Sequence, residues 1–285
     1  MIAITGASGQ LGRLVIDELL TTTPASEITA LVRTPESISD LAERGITVRQ
    51  ADYNEPGTLI EAIKGIKKLL LISSSEVGQR AQQHQNVINA AKENGIGLIA
   101  YTSILHADTS PLGLAEEHRA TEAMLSESGI PFVLLRNGWY SENYIAGIPA
   151  ALQLGTLYGC AGDGLIASAA RADYAAAAAK VITLDNQGGK IYELSGDKAY
   201  TLAELAAEIS QHTGKEIGYV NLPEADYVSA LEQAGLPTPL AHMLADSDTG
   251  ASQGGLYDNS QTLSGLIGRP TAPIAESVRE ALKGS

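Results

Sequence analysis

The chain is poor in cysteine, in basic side chains and in aromatic rings, and each shortage closes off a class of function. A single cysteine, Cys160, excludes an intramolecular disulfide and any thiolate-built zinc or iron–sulfur site, and it fits a reducing compartment. Lysine and arginine number 19 against 33 aspartates and glutamates, a formal charge of -14. Without a basic surface to neutralise phosphates, direct DNA or RNA binding is not expected. Aromatics make up 5% and charged residues 18% against a hydrophobic share of 44%, which predicts an aliphatic, alanine-rich core. No apolar run approaches the roughly 18 residues that span a bilayer, and no basic stretch leads into an apolar signal core. A cytoplasmic protein without membrane insertion is the expectation.

Several catalytic signatures are missing as well. The five histidines, His84, His106, His118, His212 and His242, show no ligand spacing, so each is expected on the surface or in a loop. There is no G-x-S-x-G, and Cys160 has no identifiable base nearby, which sets metal-assisted and nucleophilic mechanisms aside.

What is present is an alternation. Apolar runs at 2–5, 28–32, 46–50, 68–73, 97–103 and 131–136 read as six strands, with helical spacing near 10–22, 34–44, 57–64, 78–94 and 114–128. Such βαβ units imply a parallel sheet covered on both faces. An alanine-rich helix at 172–182 and a strand at 190–196 read as one more unit returning to the sheet. Beyond 197 the pattern shortens: a helix from the N-cap Thr201 to the C-cap Gly214, another at 224–234, then a polar Gly/Ser/Asp stretch around 246–258. The fold class is α/β, a Rossmann-type doubly wound parallel sheet with a smaller C-terminal α/β lobe. A dinucleotide-binding domain is placed at 1–136 plus 166–195, and a substrate-side lobe at 137–165 plus 196–285.

The first strand runs into "TGASGQLG", with Gly6 permitting the turn, Gly9 letting backbone N–H groups approach a pyrophosphate and Gly12 allowing the helix to pack close. The second strand ends at Arg33, about 20 residues past Gly12, where an NAD protein carries an acidic residue for the ribose hydroxyls. A guanidinium there pairs with a 2′-phosphate instead, which points to NADP. Ser73, Ser74 and Ser75 close the fourth strand; they would let the chain pass the cofactor, or Ser75 would cap the helix from 78. Asp52 reads as a helix cap, Tyr101 as a packed strand residue, and Arg171 as a salt-bridge partner of Asp173 or a cofactor contact. The segment "RNGWYSENY" holds the only tryptophan, Trp139; Trp139 and Tyr140 could wall a flat pocket that Asn137 and Asn143 serve with hydrogen bonds, or could staple two lobes. The Tyr-x-x-x-Lys proton donor of ordinary short-chain reductases is absent: Leu114 and His118 occupy the positions where such a pair could fall.

Together "MIAITGASGQLG", "LLLISSSEVGQR", "IAYTSILHADTSPLGLA", "LLRNGWYSENY", "RADYAAAAA" and "LADSDTGAS" resemble the NmrA-like, atypical short-chain dehydrogenase/reductase family. The resemblance implies an NADP(H)-binding Rossmann domain and a quinone site in the cleft. It implies cofactor contacts at Gly6, Ala7, Ser8, Gly9, Gln10, Leu11, Arg33, Ser73, Ser74, Ser75, Gly138, Trp139, Tyr140, Ser141, Glu142, Asn143 and Arg171, with Asn137 and Tyr140 on the substrate side. The missing dyad fits this substrate. Reducing a ketone makes a strongly basic alkoxide that needs a positioned acid, whereas a quinone yields a weakly basic hydroquinone anion that water protonates. The expected activity is NADPH-dependent quinone reduction by direct hydride transfer, without flavin or metal. The alternatives are an NADP(H)-binding redox sensor that turns over little and reports to a protein partner, and a reductase of other flat electrophiles such as dyes.

Overall fold

The computed structural model describes residues 1–283. In chain order the elements are β1 (Ile2–Ile4), α1 (Gln10–Leu19), β2 (Ile28–Val32), α2 (Ser39–Glu43), β3 (Thr47–Gln50), α3 (Pro56–Ile63), β4 (Lys68–Leu71), α4 (Arg80–Glu93), β5 (Leu98–Ile104), α5 (Ala115–Ser128) and β6 (Phe132–Asn137). Then follow α6 (Ser141–Ile145), α7 (Ile148–Leu154), β7 (Thr156–Gly159), α8 (Arg171–Thr183), β8 (Ile191–Leu194), α9 (Leu202–Thr213), β9 (Gly218–Asn221), α10 (Glu224–Gln233), α11 (Thr238–Ser252), α12 (Thr262–Ile267) and α13 (Ile274–Lys283).

Seven strands form one sheet in the order β3-β2-β1-β4-β5-β6-β8. The pairs β2/β3, β1/β2, β1/β4, β4/β5 and β5/β6 are all parallel. Every residue of β2 and of β5 is buried, as parallel strands covered on both faces require. One core joins Leu69 and Leu71 of β4 and Ile99 and Tyr101 of β5 to Leu59 and Ile63 of α3 and Val87, Ile88 and Ala91 of α4. Chain order reverses between β1 and β4, and in open sheets of this kind ligands bind beyond the strands' carboxyl ends at such a reversal.

The chain divides into two compact units. The first comprises 1–107, 117–137 and 171–192, and the second 108–116, 138–170 and 193–283. Within the second, β7 and β9 make a two-stranded parallel sheet. Helix α9 is bounded as its sequence predicts. Thr201 Oγ1 accepts from the Glu204 N–H at 3.2 Å, Glu204 Oε2 accepts from the Thr201 N–H at 2.7 Å, and Gly214 closes the helix at φ +69.

The polar stretch around 246–258 is helical over its first part, because α11 runs through it to Ser252. Its turn-forming residues are held helical by partners elsewhere in the second unit. Asp248 accepts from the Cys160 N–H at 3.1 Å and from the Tyr144 hydroxyl at 3.2 Å, and Asp246 accepts from the Gly113 N–H at 2.9 Å. Close packing also fixes the glycines here, since a Cβ on Gly250 would stand 2.7 Å from Leu112 Cδ1 and one on Gly164 would stand 2.5 Å from the Ala251 carbonyl oxygen. Tertiary contact overrides local propensity along this stretch.

Candidate cofactor-binding site

The turn after β1 is built as its glycines require. Gly6 sits at φ +59, where L side chains are strained. A Cβ on Gly9 would lie 3.2 Å from the Gly6 carbonyl oxygen, and one on Gly12 would lie 2.4 Å from that oxygen and 2.8 Å from Ala7 Cα. No side chain caps the amino end of α1. Its first N–H groups, which have no intrahelical acceptors, and the positive end of its dipole are what a pyrophosphate binds. The residues fit a dinucleotide phosphate: the cradle is one that any side chain would fill. Arg171, opening α8, hydrogen-bonds Gln10 Oε1 and so stands at this turn.

Thr5 ties the turn to the loop after β4. Its hydroxyl accepts from the Ile72 N–H at 2.9 Å, while the Tyr53 hydroxyl reaches both Thr5 Oγ1 at 2.5 Å and the Ile72 carbonyl at 2.8 Å. The serine loop is pinned from below. The Ser73 N–H donates to Thr102 Oγ1 at 2.9 Å, and the Ser74 N–H donates to His84 Nε2 at 2.9 Å. That bond leaves Nε2 unprotonated, so Nδ1–H donates to Thr121 Oγ1 at 2.9 Å, and the Thr121 hydroxyl donates in turn to the Glu117 carbonyl at 2.9 Å. His84 is fully buried and His118 nearly so; the Tyr101 hydroxyl and His118 Nδ1 share a hydrogen bond of 2.7 Å. Burial, with the Arg80 charge added, pushes both imidazoles down to about 3, so both are neutral.

These two histidines correct the expectation that all five lie on the surface or in loops. Their helices are polar in composition, and only the fold reveals that their rings face the core.

Two expected caps are also corrected. Ser75 does not cap the following helix, which begins at Arg80 with no side-chain cap from its own stretch. Glu117 of α5 caps it from a distance, Oε1 accepting from the Gly78 and Arg80 N–H groups at 3.0 and 3.1 Å. Arg80 Nε donates to the Ser74 carbonyl and so holds the serine loop to the same helix end. Asp52 caps no helix either. Its Oδ1 accepts from the Asn54 N–H at 2.9 Å in an Asx turn, and Glu55 occupies the N-cap of α3. Tyr101 is packed inside its strand, fully buried.

Arg33 stands at the end of β2 with its side chain 67% exposed, its Nη1 3.1 Å from Glu76 Oε1. The first unit thus brings together Gly6 to Leu11, Arg33, Ser73 to Ser75 and Arg171 around the carboxyl ends of β1, β2 and β4. Asn137 ends β6 of the same unit, buried, with an Oδ1 that has no hydrogen-bond partner. An orphaned buried acceptor of this kind is what a polar ligand group satisfies.

Gly138 to Asn143 belong to the second unit, where the backbone pins them. The Gly138 N–H donates to the Leu194 carbonyl at 2.7 Å and the Ser141 N–H to the Ala169 carbonyl at 2.9 Å. Trp139 is buried, Tyr140 and Glu142 are half-buried, and Ser141 Oγ lies 2.9 Å from Ser168 Oγ. Cys160 is no nucleophile: burial pushes its thiol up to about 11, and Sγ donates to the Ala245 carbonyl. Among the described residues no three His, Cys, Asp or Glu side chains gather as a metal site, and no helix is long and apolar enough to cross a membrane.

Comparison with known proteins bears on this geometry. The model of an NAD(P)H-binding family matches residues 6–185. Quinone oxidoreductase 2 of Escherichia coli strain K12 is 64% identical over 278 residues, 98% of this chain and 97% of that protein. The crystal structure of an NADPH-dependent quinone oxidoreductase from Escherichia coli, complexed with NADPH, superposes with a TM-score of 0.97 at 63% identity, covering 99% of this chain and 100% of that one. The triphenylmethane reductase of Citrobacter sp. complexed with NADP(H) gives a TM-score of 0.95 at 38% identity, covering 99% and 100%. An NmrA-like family domain-containing oxidoreductase of Aspergillus flavus is 30% identical over 98% of this chain and 94% of its own. The glycine turn, the strand order and these full-length likenesses agree, and the chain belongs to the NAD(P)H-binding family, in its NmrA-like, atypical short-chain reductase branch.

Proposed function

We propose that the protein is an NADPH-dependent quinone oxidoreductase. The observation that carries this reading is the phosphate turn at Gly6, Gly9 and Gly12 with Arg33 one strand away, in a chain 64% identical to a quinone oxidoreductase over nearly its whole length. The first unit is the cofactor domain. Its turn residues Gly6 to Leu11 hold the pyrophosphate, Arg33 pairs with the 2′-phosphate, Ser73 to Ser75 border the ribose, and Arg171 steadies the phosphate turn through Gln10. The family resemblance also assigns cofactor contacts to Gly138, Trp139, Tyr140, Ser141, Glu142 and Asn143, which lie in the second unit.

NADPH, when bound, supplies the hydride that reduces the quinone. The chain's own residues orient the reactants and stabilise charge. We assign the Asn137 amide of the first unit and, by the family resemblance, the Tyr140 hydroxyl to the substrate side, as donors that would stabilise the quinone oxygen as it gains charge. No side chain needs to deliver a proton, because a hydroquinone anion is weakly basic and takes its proton from water. His118 could not serve: it is sequestered against Tyr101 and neutral. Catalysis rests on holding the ring in place. The activity belongs in the cytoplasm, where a single buried thiol stays reduced.

The test is steady-state oxidation of NADPH and of NADH with a simple benzoquinone, in the wild type and in Arg33→Asp. The wild type should prefer NADPH strongly and the variant should lose that preference; a wild type equally active with NADH contradicts the assignment of Arg33. Triphenylmethane dyes belong in the same panel, since the Citrobacter likeness favours them as alternative flat acceptors.

A further inference from the structure

The pair formed by Arg33 and Glu76 deepens the cofactor reading and rests on it. Arg33 Nη1 and Glu76 Oε1 lie 3.1 Å apart. Glu76 is not a loose surface carboxylate. Its Oε2 accepts from Gln83 Nε2 at 2.8 Å, and Gln83, almost completely buried in α4, also reaches Asn54 Oδ1 at 3.2 Å. Its backbone N–H donates to Ser74 Oγ at 3.1 Å, at the end of the serine loop. The carboxylate is therefore delivered to the guanidinium by a built arrangement that includes a buried amide. Arg13 of α1 is committed to Asp40 through bonds of 2.7 and 3.2 Å.

A carboxylate and a phosphate want the same thing from a guanidinium, a charge-assisted hydrogen-bonded face. A 2′-phosphate docking on Arg33 must displace Glu76 or share the guanidinium with it, and sharing sets two anions side by side. A ribose 2′-hydroxyl brings no charge, and a carboxylate is the acceptor that NAD proteins place near it. We propose that Glu76 is a specificity-determining residue that competes with the 2′-phosphate for Arg33 and so holds the NADPH preference below what Arg33 alone would give.

The experiment is a double-mutant cycle read by binding rather than turnover: titration of wild type, Glu76→Gln, Arg33→Ala and the double variant with NADPH, NADH and 2′,5′-ADP. Glutamine keeps an acceptor for Gln83, so the loop stays anchored. Glu76→Gln should tighten NADPH and 2′,5′-ADP about three- to fivefold, as expected for freeing one partly exposed ion pair, with NADH changed less than about twofold. The gain should vanish in the Arg33→Ala background and fade as salt is raised. Weaker NADPH binding in Glu76→Gln, equal tightening of both dinucleotides, or a gain that persists without Arg33 would overturn the competition. If Arg33→Ala alone leaves NADPH affinity unchanged, the assignment of Arg33 fails first, and the competition falls with it.

Discussion

Gly12 shows how far a single residue can be argued from local chemistry. On an exposed helix Gly→Ala stabilises by up to about 1 kcal/mol, but here the new Cβ would overlap the Gly6 carbonyl oxygen at 2.4 Å. Gly12→Ala is therefore expected to destabilise by about 1–3 kcal/mol, the usual range for overpacking, and to raise the dissociation constant for NADPH because the phosphate turn must shift. Chemical denaturation and cofactor titration of the same variant check both; a more stable variant with unchanged affinity contradicts the account. The glycine turn was legible because its geometry depends on chain neighbours. His84 was not. Its role depends on α4 laying a ring against the Ser74 N–H, which no spacing records. His84→Leu should cost about 1–3 kcal/mol through the unpaired buried N–H, and His84→Gln, which can restore an acceptor, should recover part of it. Equal losses in both variants would mean that packing alone matters at this position.

At the scale of elements, strands and helices of the first unit followed from periodicity, and the misreadings fall at ends and caps. Helix α4 has no cap in its own stretch because Glu117, on the next helix, provides it. A cap from a residue so distant in sequence cannot be read from the residues beside the helix. Glu117→Ala should destabilise by about 1–2 kcal/mol, the cost of a lost N-cap, and hydrogen exchange should rise first at Gly78 and Arg80. Unchanged protection there would show that the carboxylate does not hold the helix end. Helix α11 teaches the same lesson from the other side: Ser247, Asp248 and Gly250 look like a turn, and buried partners make them a helix.

Over the whole molecule, buried ionisable groups set how stability varies with pH. His84 and His118 keep folded values near 3 against 6.5 for the free side chain. Unfolded chains take up protons in that window and folded ones do not, so stability is lost as pH falls below about 6.5. Asp248 acts in the opposite sense. Burial holds its carboxyl up to about 6 against 3.8, so the folded protein keeps a proton that the unfolded chain releases, and stability drops as pH rises through that interval. At about 1.4 kcal/mol per unit this amounts to about 3 kcal/mol at neutral pH. Asp248→Asn should therefore raise the melting temperature at pH 7.5 and leave it nearly unchanged at pH 4. The same gain at both values would mean that folding does not hold this carboxyl above its ordinary range.

The central claim is that hydride passes from NADPH to a quinone on a protein with no flavin. Flavin-free protein mixed with benzoquinone and NADPH, unlabelled or deuterated at the transferring C4 position, tests it most directly. The account predicts quinone-dependent NADPH oxidation in a single turnover, slower with the deuterated cofactor. Tight NADPH binding with no oxidation above the protein-free rate would contradict it and identify a sensor instead.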